Sequence, residues 1–75
     1  MAVIFDFSEL LGRIIARYGN RRMFARAIGL SDAQLSDRLR NKISFKPDEI
    51  ILICTPEVLD IPDAQIGRYF FTPKV

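Results

Sequence analysis

The stretch from Asn20 to Asn41, NRRMFARAIGLSDAQLSDRLRN, constrains this chain more than any other. Phe24, Ala25 and Ile28 recur at the spacing that puts them on one face of a helix. Leu35 and Leu39 do the same further on. Gly29 stands between the two sets. A residue without a Cβ can take the positive φ that ends one helix and turns the chain. Leu30 is then placed to tuck into the angle. Ser31 sits where a hydroxyl can accept an orphan N–H from the first turn of the next helix. Ala25 is small enough to let the second helix cross closely. The reading is two short helices, about 21–28 and 32–40, joined by a tight turn.

Length and composition bound what surrounds them. Seventy-five residues allow one domain with a small core, whose stability is thin or helped by self-association. Forty-nine per cent apolar residues argue against disorder. A single cysteine, Cys54, leaves no internal disulfide, and there is no histidine. A zinc site would need unusual ligands, and a histidine general base is unavailable. No phosphate-cradling glycine loop and no metal-spaced cluster is present, so we expect neither an enzyme nor a metal or cofactor site. The opening MAVIFDFSEL has no basic lead and is not read as a signal peptide. The apolar run Ile50–Cys54 is far too short to span a bilayer, which takes roughly 20 residues. A reduced, cytoplasmic setting is the expectation.

The net charge of +2 conceals an uneven distribution. Nine cations and two acids lie between Arg13 and Lys46, giving +7 there and −5 for the rest. Cations gathered around the paired helices are what contact with phosphate requires, although a solvated helical surface carries charge as well.

The order FA…A-I-GLS…LS…L.N resembles the helix-turn-helix of the phage repressor and Cro proteins. The tail IGRYFFTPKV is similar to the ends of the small Cro-like proteins of phages and prophages. The resemblance implies a mainly α, lambda-repressor/Cro-like bundle of four to five short helices, a single domain over 1–75 with its helix-turn-helix at about 20–41. The bundle can carry a short strand from the N- and C-terminal segments, and a strand leading into the first helix would resemble Cro. The implied function is a DNA-binding transcriptional regulator that represses by operator occupancy. It would act as a homodimer on double-stranded DNA, with half-sites about 34 Å apart.

By the same resemblance the third helix is the recognition helix, whose outward positions meet base edges. Gln34, Ser36, Asp37 and Arg38 are the base-contact candidates. Arg21, Arg22 and Arg26 on the second helix, with Arg40, Asn41, Lys42, Ser44 and Lys46 after the third, are the phosphate-contact candidates. One departure stands out. The best-known members carry Gln or Ser where this chain has Asp32, Ala33 and Asp37. Aspartate can accept from cytosine N4 but repels phosphate, and Asp32 also suits the positive end of a helix. These acids support an alternative on the same fold: a protein-interaction module, an antirepressor or adaptor.

The remaining chain reads in order. Residues 2–7, AVIFDF, form either a short strand or an extended arm pinned by its aromatics. Ser8 is the expected N-cap of a first helix running to Tyr18, with Leu10 or Leu11, Ile14, Ile15 and Tyr18 as its apolar stripe. Gly12 inside that helix suggests close approach by another element. Gly19 ends the helix, Asn20 caps the next, and Phe24, Ala27 and Ile28 face inward on it. Ile43 and Phe45 are expected to anchor the loop after the third helix. Pro47 opens a fourth helix with Asp48 and Glu49 at its positive end. Its residues Ile50–Cys54 are apolar all round, so it is either buried on every side or turns one face to a partner. Thr55-Pro56 ends or kinks it, and Thr55 can cap a short turn. Residues 64–69 form a last short helix, and the β-prone Tyr69, Phe70 and Phe71 pair either with residues 2–7 or with a second copy.

Overall fold

The computed structural model describes residues 3–74. Five short α-helices surround one core: α1 Ser8–Tyr18, α2 Arg21–Ala27, α3 Asp32–Leu39, α4 Pro47–Cys54 and α5 Ile66–Phe70. A 3₁₀ turn, Asp63–Gln65, leads into α5. This is the mainly helical bundle the sequence pattern implies.

Local signals set most of the helix ends. Asn20 Oδ1 accepts the Met23 N–H at 2.9 Å and starts α2. Ser31 starts α3 with a full capping box: its hydroxyl accepts the Gln34 N–H, and Gln34 Oε1 accepts the Ser31 N–H. Gly29 takes φ +76° and makes the turn between them. Pro47 begins α4, and Thr55, extended before Pro56, ends it. At α1 the cap differs from expectation. Ser8 is already helical, and the Asp6 carboxylate accepts both the Ser8 N–H and the Ser8 hydroxyl. Nothing lies within 4 Å of a Cβ built on Gly12, so close approach does not explain that glycine.

The core is built from every helix. Leu10 and Ile14 of α1, Phe24 and Ala25 of α2, Leu35 of α3, Ile53 of α4 and Phe70 of α5 are fully or almost fully buried. Val58, Leu59 and Ile61 close it from the segment between α4 and α5. Ala25, not Ala27, faces inward on α2, and Ile15 of α1 is exposed. Helix α4 is not buried all round. Ile53 points in, while Ile51 is 68% exposed.

The chain ends meet beside the turn that follows α3. The arm Val3–Phe7 runs antiparallel to residues 72–74, with Phe5 opposite Pro73. Asp6 N–H donates to Thr72 O and Lys74 N–H to Ile4 O, both at 2.8 Å. The tail therefore returns to its own arm. The pairing uses residues after Phe71, because Tyr69 and Phe70 belong to α5. The expected strand position at Ala2 lies outside the described residues. Edge-to-face rings bind these segments: Phe5 with Phe71, Phe7 with Phe45, and Phe45 with Phe70, at centroid distances of 5.3–5.7 Å.

Asn41 completes the seam. It sits just past α3 at φ +63°, a left-handed conformation that asparagine tolerates. Its Oδ1 accepts the Phe5 N–H at 2.9 Å and its Nδ2 donates to Phe5 O at 3.0 Å. The side-chain amide thus stands in for a neighbouring strand. Asn41→Ala should cost about 2 kcal/mol, from two lost hydrogen bonds and the strained φ. Asn41→Gly should recover about 1 kcal/mol by relieving the φ alone. Urea unfolding of the two variants measures this, and equal losses would remove the φ contribution.

Candidate interaction face around α2 and α3

Helix α2 lies against α1 and α3, and its burial of Phe24 and Ala25 turns Arg21, Arg22 and Arg26 outward. On α3, Leu35 is the inward anchor, with Leu39 half-buried beside it. Asp32, Ala33, Gln34 and Arg40 are exposed, and Ser36 and Asp37 are half-buried. The rod after Gly29 is therefore open to solvent along one side. Asn20, Arg21 and Arg22 of the α2 start and Asp32, Leu35 and Ser36 of α3 line a groove of about 450 Å³ between the two helices.

The structure separates the base-contact candidates. Arg38 is only 5% exposed and points into the fold. Its Nε and Nη2 bind the two carboxylate oxygens of Glu49 at 2.8 and 2.9 Å, and its Nη1 donates to Gln34 O at 2.9 Å. Arg38 is thus corrected from a base contact to a tie between α3 and α4. Gln34 is exposed, but its Oε1 is held by the capping box, which leaves its Nε2 to meet a partner. Ser36 lies in the groove, and the Asp37 carboxylate accepts no hydrogen bond among the described residues.

The phosphate-contact candidates divide as well. Asn41 is corrected to a clasp on the arm, since both ends of its amide are engaged by Phe5. Arg22 lies 3.4 Å from Asp32 in an exposed ion pair, which screening by solvent and salt makes weak. The ion pairs among the described residues are this one, Arg38–Glu49 and Arg68–Glu9. Arg21, Arg26, Arg40, Lys42 and Lys46 are accordingly exposed and unpaired, and Ser44 is exposed among them. Two further cations of the basic stretch are turned away: Arg13 donates to the carbonyls of Leu59 and Asp60, and Arg17 to that of Pro56.

Sequence reasoning placed Glu49 at the start of α4 for the helix dipole and missed its partner. Its Oε1 also accepts the Lys46 N–H at 2.9 Å. The Arg38 guanidinium, foremost through its hydrogen bonds, holds the Glu49 carboxyl below its ordinary value. Burial pushes the Cys54 thiol up, so this cysteine is a small half-buried hydrophobe rather than a thiolate. No helix among the described residues is long and apolar enough to cross a membrane.

Five short helices around one small core, with a paired-helix face left open, form a small helical fold of the kind found in phage regulators. The chain belongs to the family described as "Protein of unknown function (DUF739)", whose model matches residues 3–73. Among solved structures it is similar to the solution structure of the modulator of repression (MOR) of the temperate bacteriophage TP901-1 from Lactococcus lactis. The identity is 39%, over 89% of this chain and 88% of that one, with a TM-score of 0.77. No curated protein matches the chain. These likenesses support a phage regulatory role.

Proposed function

We propose that this protein modulates phage repression by binding a repressor protein with the exposed side of α3, the antirepressor or adaptor reading of its sequence. The observation that carries this is the fate of Arg38. With that guanidinium locked onto Glu49, the open side of α3 carries Asp32, Gln34, Ser36 and Asp37, with Arg40 the only cation, at its end. A recognition helix facing phosphates gains from cations along its length. A helix edged with carboxylates suits the basic surface that a DNA-binding repressor presents. The similarity to a modulator of repression supports the same reading.

Direct contact with duplex DNA is the second reading. It is favoured by the unpaired cations Arg21, Arg26, Arg40, Lys42 and Lys46 around the same face. In that form the protein is a sequence-specific repressor of the helix-turn-helix type that occupies an operator in the cytoplasm as a homodimer. The copies would meet through the exposed Ile51–Leu52 side of α4.

One pair of substitutions separates the readings. Asp32→Asn with Asp37→Asn removes two negative charges from the face. If α3 meets a basic protein surface, affinity for the repressor of the phage that carries this chain should fall about tenfold or more, read by titration calorimetry. If α3 faces DNA, the same variant should bind duplex more tightly, because two groups that repel phosphate are gone. No complex with the repressor at micromolar concentration would sink the first reading.

A further inference from the structure

The folded chain brings to the α2–α3 face a cation that its position in the sequence does not announce. Lys74, Arg21 and Arg40 line one open cleft of about 530 Å³. They come from three separate segments: the C-terminal tail, the first residue of α2 and the C-cap of α3. All three are exposed, and none has a carboxylate within 4.0 Å among the described residues. The one acid on the cleft wall, Asp6, has its Oδ1 engaged by the Ser8 N–H and hydroxyl. The wall therefore carries three positive charges against one negative.

The fold fixes the backbone around Arg40 and Lys74. The Lys74 main chain is held by its N–H to Ile4 O, Ile4 is next to Phe5, and Phe5 is held at N and O by Asn41, which follows Arg40 directly. The arm is thus a brace that sets the tail lysine across from the end of α3. Like charges gathered on a preformed wall repel one another until an anion lies between them. Arg21 also lines the adjoining groove between α2 and α3, so the cleft opens directly onto that face.

We propose that this cleft seats a backbone phosphodiester of duplex DNA, with Lys74 as a phosphate contact alongside Arg21 and Arg40. The inference rests on the duplex-contact reading above. It adds a contact from the far end of the chain, and the arm as the element that positions it.

The test uses the full chain and a short mixed-sequence DNA duplex, with affinity followed by fluorescence anisotropy across a salt series. Lys74→Gln should lower the slope of log affinity against log salt by about 1, and Lys74→Arg should restore it. Arg17→Gln removes an equal charge at a residue that does not line the cleft, and should leave the slope unchanged. Unaltered thermal unfolding of Lys74→Gln confirms that the exposed tail substitution leaves the fold intact. An unchanged slope in Lys74→Gln, or equal drops in Lys74→Gln and Arg17→Gln, overturns the cleft while the duplex reading stands. Failure of the wild-type chain to bind duplex at low salt overturns both. A shift of the Lys74 resonances by inorganic phosphate without any duplex binding marks a small-anion site and also overturns the proposal.

Discussion

Phe70→Ala should cost about 4 kcal/mol, the range for emptying a large aromatic from a tight core. Phe70 is almost fully buried and meets Phe45 edge to face at 5.3 Å. It joins α5 to the loop after α3, and Phe45 in turn meets Phe7 of the arm. A domain of 75 residues has a total stability on the order of 5–10 kcal/mol. The alanine variant should therefore be measurably unfolded in mild urea, where the wild type is not. Phe70→Leu keeps most of the volume and should lose only about 1 kcal/mol. Equal losses for the two would mean that the ring's shape and its partners contribute nothing, against the geometry described. Urea denaturation followed by circular dichroism reads both variants.

The second large effect is expected at the tie between α3 and α4. Glu49→Ala leaves Arg38, buried in the intact protein, without its carboxylate, and should cost about 3 kcal/mol. Converting both partners, Arg38→Met with Glu49→Met, should cost clearly less than the sum of the single changes, because no charge is then stranded. The pair also gives stability a pH dependence of defined sign. Folding lowers the pKa of Glu49, so the folded state takes up its proton less readily than the unfolded chain. Its contribution is complete above the ordinary glutamate range. It drains away as pH falls from there through the lower folded value. Asp6 and Glu9 are also lowered, by Ser8 and Arg68 respectively, and act in the same acid window from exposed positions. Glu49→Gln should flatten the acid loss of stability more than Glu9→Gln does. The reverse ranking, in urea midpoints from neutral to acid pH, would show that the exposed pair is the stronger.

What was legible in the sequence was local. Gly29, the caps at Asn20 and Ser31, and Pro47 each act on the residues next to them, and each marks the boundary expected of it. The core stripe of α1 was legible in outline, with Leu10 and Ile14 inside. What was not legible depended on partners far along the chain. Helical spacing puts Arg38 on a flank of α3, and only Glu49, eleven residues on, draws it inward. Asn41 has the polarity of a phosphate contact, and its true partner is 36 residues upstream. The β-prone run Tyr69–Phe71 mostly coils into α5, because Tyr69 and Phe70 are buried there by tertiary contacts that outweigh local preference. The interaction face shows the same division. Its cations were legible as a cluster, but which of them stay free was decided by carbonyls and carboxylates elsewhere in the fold.

The small ribbon made by the two chain ends also governs how one molecule can meet another. On the outer margin of the arm, the main chain of Phe5 is already satisfied by an asparagine side chain. On the outer margin of the tail, Pro73 has no N–H to give, and the Phe71 N–H is bound to Gly67 O. Around the Phe5–Pro73 bridge, neither margin offers an open donor among the described residues, which disfavours growth of a shared sheet from molecule to molecule. The pairing of the two chain ends thus favours self-association through side chains over the joining of edges.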